Sequence, residues 1–198
     1  MNKRWHAWLA GLIDGEGTIS ITRHNANKYG HPYLGPLLQI ANTDTRLLKR
    51  AAEIIEHLTG KPSHKFVVTN PRDDLTRRKL GYRLAVHTQW ELLLVLPAIR
   101  PYLVGKGEQA DTVIDFCRRR CGRAHQRWRE FVAEDYAGYI RCLELNRRGP
   151  KSDAALVAAT EELERMLHVE EAHYKAVMVR GAFSDLLDPR FREVIADR

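Results

Sequence analysis

The chain has 198 residues and a mass of 22.8 kDa, the size of one domain or of one domain with an appendage. Its content of 44% hydrophobic and 29% charged residues excludes a disordered chain, and no apolar run approaches the roughly 18–20 residues that a membrane span needs. The net charge of +7 is unevenly placed: residues 1–121 hold 19 Lys/Arg against 11 Asp/Glu, whereas residues 122–198 hold 13 against 14. The basic excess therefore lies wholly in the N-terminal part and points to a polyanion, most simply nucleic acid. Charge alone fits a merely soluble basic surface equally well.

Taken in chain order, residues 4–14 predict a helix, because Trp5, Trp8, Leu9, Leu12 and Ile13 recur at helical spacing. Gly15 and Gly17 are expected to end it. Residues 18–24 alternate polar and apolar, as a strand with Ile19 and Ile21 inward. Residues 33–41 predict its hairpin partner, with Pro36 weakening that strand or placing it at an edge. Asn42, Thr43 and Asp44 offer caps for a helix running to about Leu58, stopped by Gly60-Lys61-Pro62. Residues 63–69 and 80–88 predict a second hairpin around a basic loop, and residues 89–100 and 107–120 two further helices. The order up to residue 121 is thus α-β-β-α-β-β-α-α. Residues 125–146 and 151–179 predict two more helices with no strand signal, a C-terminal extension best read as a helical buttress or dimerisation element.

Three cysteines (Cys117, Cys121 and Cys142), with no zinc-ligand spacing among them, fit a reducing interior better than a disulfide scaffold. The N-terminal apolar stretch is short and runs into acids without a small-residue cleavage site. The expectation is an intracellular chain, cytoplasmic or nucleoid-associated, with no secretion signal.

The most informative segment is Leu9-Ala10-Gly11-Leu12-Ile13-Asp14-Gly15-Glu16-Gly17. Trp8, Gly11 and Gly15 share one helix face. Each glycine costs a helix about 1 kcal/mol relative to alanine, so the pattern suggests a close backbone approach, as when two helices pack. Asp14 and Glu16 lie at the helix end where the dipole disfavours negative charge. They suggest a cation supplied from outside, such as a divalent metal; ordinary solvated acids are the other reading.

The nonapeptide resembles the signature of the LAGLIDADG homing endonucleases, with seven of nine residues identical, Gly15 in place of Ala and Glu16 in place of Asp. The element order agrees with that family, and residues 101–110 resemble its end-of-core segment, with Lys106 and the following Gln109-Ala110. The resemblance covers roughly residues 4–121 and leaves 122–198 unexplained. It implies an α+β fold: a LAGLIDADG core, αββαββαα, with a four-stranded antiparallel saddle sheet, carried by residues 1–121. Residues 122–198 follow as an α-helical C-terminal extension.

Function follows from the same resemblance. It implies a site-specific, Mg²⁺-dependent endonuclease for double-stranded DNA, of the homing type, leaving short 3′ overhangs. One motif per chain implies a homodimer on a long, nearly palindromic site. Its interface would be built on Trp8, Gly11, Leu12 and Gly15. Glu16 occupies the metal-ligand position, helped by the Gly15 carbonyl; Asp14 is either a structural acid or a further ligand. Lys106 matches a lysine near the scissile phosphate, and Asn42 and Arg46 match a solvent-positioning pair; simple contact with the DNA backbone is the other reading of Arg46. In the sheet face that reads the major groove, alternation predicts Ser20, Thr22 and His24, then Tyr33, Leu37 and Gln39. Lys65, Val67 and Thr69 follow on the third strand, and Arg83, Ala85 and His87 on the fourth. Of these, Arg83 and Gln39 suit base edges best. Lys28, Arg72, Arg77, Arg78 and Lys79, in hairpin loops, suit phosphates. Related proteins act instead as RNA maturases or non-cleaving DNA-binding regulators; Glu16 and Lys106 favour the nuclease.

Overall fold

A computed structural model describes residues 3–24, 33–61, 67–68, 81–122, 131–147 and 150–179. The elements in chain order are α1 (Lys3–Glu16), β1 (Gly17–His24), β2 (Tyr33–Asn42), α2 (Thr45–Thr59), β3 (Val67–Val68), β4 (Tyr82–Val86), α3 (Gln89–Ile99), a 3-10 turn at Arg100–Tyr102, α4 (Gly107–Gly122), α5 (Ala133–Leu145) and α6 (Pro150–Val179). The sheet is antiparallel with strand order β1-β2-β4-β3, three long strands and a two-residue fourth.

The first helix continues beyond its predicted end. Gly15 is helical, and α1 passes straight into β1 at Gly17. A Cβ at Gly17 would lie 2.7 Å from the Ile13 carbonyl oxygen, so only glycine fits where the chain leaves the helix. Pro36 does not make β2 an edge strand: β2 lies between β1 and β4. However, β4 reaches only as far as Leu38, so Pro36 sits where β2 has a strand neighbour on one side. At α2 the caps are as the sequence suggests. The Asp44 carboxylate accepts from the Arg46 N–H at 2.9 Å. Gly60 closes the other end in the left-handed conformation at φ 69°, its N–H donating to the Glu56 carbonyl at 2.8 Å.

The core is continuous. The inner sheet face (Ile19, Ile21, Leu34, Leu38, Ile40, Leu84, Val86) meets Leu9, Ala10 and Ile13 of α1, Leu48, Ile54 and Ile55 of α2, and the buried faces of α3 and α4. It does not stop at residue 121. Tyr136, Tyr139 and Cys142 of α5 and Ala159 of α6 are buried in the same cluster. α5 approaches β1 closely, since a Cβ on Gly138 would come within 3.3 Å of the Ile21 side chain. Asn146 donates to the Ile19 carbonyl at 3.0 Å, and Gln109 of α4 donates to the Leu145 carbonyl at 3.4 Å. Through these contacts α5 packs against β1 and α4.

Candidate active site and nucleic-acid face

The motif acids are held very differently. Both Asp14 carboxylate oxygens accept backbone N–H groups from the turn before α4: Val104 at 2.7 Å and Lys106 at 2.9 Å. The Lys106 ammonium returns the contact, donating to the Ile13 carbonyl at 2.9 Å and to the Asp14 carbonyl. This places a cation on the negative end of the α1 dipole. Glu16, by contrast, is exposed at the last residue of α1. It lines a cleft of about 360 Å³ with Ala41, Asn42, Thr43, Gly81 and Tyr82.

The fold thus brings Glu16 and Asn42 to one cleft. Asn42 is fixed there, its Oδ1 accepting from the Asp44 N–H at 2.8 Å. Arg46 and Lys106 are not among the lining residues. Arg46 turns to Asp44, with Nε and Nη2 on the carboxylate at 2.6–3.1 Å. That hydrogen bonding draws the Asp44 pKa down to about 2, even though the Arg46 side chain is 88% exposed. Tyr82, the register partner of Asn42 across β2 and β4, is a cleft residue that the sequence reading passed over. Its position opposite Asn42, two residues from the strand's start signal at residue 80, is the cue that would have found it.

The outer sheet face carries the expected side chains. Ser20, Thr22, His24, Gln39 and Arg83 are half-buried there and Tyr33 is exposed. Register places Thr18, Gln39 and Ala85 in one row across the sheet, then Ser20 beside Leu37, and His24 beside Tyr33. Arg83 donates to Gln39 Oε1 at 3.4 Å, so the two best base-edge candidates form one unit. His87 lies just past β4, exposed, and its pKa is lowered by desolvation and by the nearby His24 and Arg83. Val67 is in β3. Lys28, Lys65, Thr69, Arg72, Arg77, Arg78 and Lys79 lie outside the described residues.

On α1, Trp8 is 37% exposed, and Gly11 and Gly15 are exposed with nothing within 4 Å of a Cβ built on either. Among the described residues of the chain no neighbour explains these glycines. Leu12 is half-buried and packs toward the core at the edge of this face. Among the described residues no group of three or more His, Cys, Asp or Glu side chains could hold a metal, and no helix is long and apolar enough to cross a membrane.

No family model and none of the curated proteins matches the chain. Solved structures do match. The homing endonuclease I-CvuI, in complex with its target in the presence of Ca, superposes with a TM-score of 0.51 at 16% identity, covering 82% of this chain and 96% of I-CvuI. The group I intron-encoded homing endonuclease I-CeuI, complexed with DNA, gives 0.50 at 14% identity, covering 80% of this chain and 77% of its own. The LAGLIDADG homing endonuclease I-SmaMI, bound to cleaved DNA, gives 0.50 at 14% identity, covering 80% of this chain but 49% of I-SmaMI. The fold is therefore that of the LAGLIDADG homing endonucleases, a DNA endonuclease fold. Coverage of 82% is about 162 residues, so the likeness extends past residue 121 into the helices that the sequence comparison left unexplained.

Proposed function

We propose that this chain is a site-specific endonuclease for double-stranded DNA that works as a homodimer with a divalent cation, most simply Mg²⁺. The observation that carries the reading is the placement of Glu16. It is the exposed last residue of a helix that also exposes Trp8 and two open glycines, Gly11 and Gly15. A second copy of α1 laid along Trp8, Gly11 and Gly15 would bring two Glu16 carboxylates to the base of one interface. The near-complete coverage of I-CvuI, against about half of I-SmaMI, supports one such unit per chain.

The donor set fits Mg²⁺ only in that assembly. Magnesium is held by one or two carboxylates together with substrate phosphate and waters, and one chain offers the Glu16 carboxylate and the Gly15 carbonyl. Asp14 already accepts two backbone N–H groups, so it acts as the acid that fixes the end of α1. A cation held there supplies an activated water and neutralises charge on the phosphate. Asn42, anchored through its Oδ1, positions solvent in the cleft beside Glu16. Lys106 keeps positive charge at the base of α1, where it offsets phosphate repulsion while holding the helix end. Arg46, with Ser20, Thr22, His24, Tyr33, Gln39, Arg83 and His87, contacts the duplex. Lys65, read from the sequence as part of the same sheet face, joins them, and Lys28, Arg72, Arg77 and Arg78, read from the sequence as hairpin-loop cations, meet the phosphate backbone.

The test is selection of cleaved sites from a randomised duplex library with Mg²⁺. A palindromic or nearly palindromic cleaved consensus is expected. Retention of duplexes without cleavage at any divalent-cation concentration would make the chain a binder instead.

A further inference from the structure

The end of the sheet farthest from Glu16 holds an arrangement that cleavage does not require. His24 closes β1, and its imidazole stacks on the ring of its register partner Tyr33, with centroids 4.5 Å apart and planes 12° apart. A Cβ on Gly35 would come within 3.4 Å of His24 Nε2 and 3.7 Å of the Tyr33 ring, so a side chain there would press on the stack. Thr22 completes the frame. Its Oγ1 lies 3.1 Å from His24 Nε2 and donates to the Gly35 carbonyl at 3.1 Å.

A hydroxyl has one proton to give. With the Thr22 proton on the Gly35 carbonyl, Oγ1 meets Nε2 as an acceptor, and Nε2 must carry the hydrogen. The neutral ring then keeps its lone pair on Nδ1. That atom has no hydrogen-bond partner among the described residues. The result is a preorganised acceptor on a ring held by stacking, on the outer face of the sheet. In the major groove, cytosine N4 and adenine N6 present donors, whereas guanine O6 and N7 and thymine O4 present acceptors.

We infer that His24 is a specificity-determining residue, its Nδ1 accepting a hydrogen bond from the exocyclic amino group of a cytosine or adenine, with Thr22 as the positioning residue that fixes the tautomer. The inference rests on the reading of this chain as a duplex-DNA binder. Tyr33 and Gly35 belong to the same device, one stacking on the ring and the other making room for it.

The experiment compares the full-length wild type, His24→Ala and Thr22→Val on a duplex library randomised at every position, sequencing the bound fraction at pH 8. Thr22→Val keeps the shape beside the ring but frees the ring proton to sit on either nitrogen. For the wild type, one position in each half-site should favour cytosine and adenine by about five-fold, the worth of one hydrogen bond. His24→Ala should flatten that position alone. Thr22→Val should admit guanine and thymine there, with the remaining positions unchanged. An unaltered profile in both variants, or a wild-type preference for guanine or thymine at that position, overturns the inference and leaves DNA binding standing. A loss of preference at all positions together with a lowered thermal midpoint also counts against it, as a merely structural role. Failure of the wild type to retain any duplex overturns the DNA reading itself, and this inference with it.

Discussion

Asp14 and Glu16 stand two residues apart and have opposite surroundings. Helix electrostatics makes both unfavourable at a C-terminus, and that much was legible in the sequence as a demand for positive charge nearby. The source of that charge was not legible, because Lys106 and the Val104 N–H come from some 90 residues further along the chain. Hydrogen bonds to a charged group each contribute about 1.5–3 kcal/mol. Asp14→Ala should therefore lower stability in urea unfolding by at least about 2 kcal/mol by the same reckoning, whereas Glu16→Gln, at an exposed position, should leave it nearly unchanged. Equal losses in the two variants would contradict this division of roles. Asp44 makes a pH prediction. Arg46 holds its pKa near 2, below the ordinary carboxylate value of about 4. Its contribution is therefore present above pH 4 and lost as the pH falls toward 2. The thermal midpoints of wild type and Asp44→Asn should differ at pH 5 and converge by pH 2; a gap that stays constant across that range would show that the ion pair is not its source.

At the scale of elements, alternation and helical spacing located β1, β2, β4 and the helices α1 to α4, because each buries one face against a single core. The end of α1 was misplaced for a local reason: Gly15 suggested a stop, yet only Gly17 meets a steric demand, its Cβ position falling on the Ile13 carbonyl. The docking of α5 was beyond sequence reading, since it depends on contacts such as Asn146 to Ile19 across 127 positions. Its first turn contains Asp135, fully buried between Arg119 Nε and Arg120 Nη1 at 3.6 Å each. Removing one partner of such a buried group leaves the other charges uncompensated, a loss of about 3–5 kcal/mol. Asp135→Ala should approach that loss in urea unfolding, and α5 should gain amide-exchange rate before the sheet does. If α5 instead stays as protected as the sheet in that variant, the acid is not what clamps it.

For the whole molecule, the charge asymmetry marks where the basic surface lies but not where the fold ends. The net +8 of residues 1–121 sits on a core that α5 and α6 help to complete. Two copies would bring about +16 to one duplex, and binding should weaken steeply with added salt. The dimer is open to a direct check at Gly11, whose Cβ would meet nothing within 4 Å among the described residues of its own chain. Gly11→Arg should leave the secondary structure intact yet shift the sedimenting species from near twice 22.8 kDa toward 22.8 kDa. An unchanged mass would remove α1 from the interface. The central claim is that Glu16 supplies the metal-dependent chemistry while the sheet supplies recognition. Its most direct test is to measure Mg²⁺-dependent cleavage and equilibrium binding side by side, for wild type and Glu16→Gln, on a duplex selected by the wild type. The account predicts that the variant binds this duplex within a few-fold of wild type and produces no cleaved strand; cleavage by purified Glu16→Gln at the wild-type rate would contradict it.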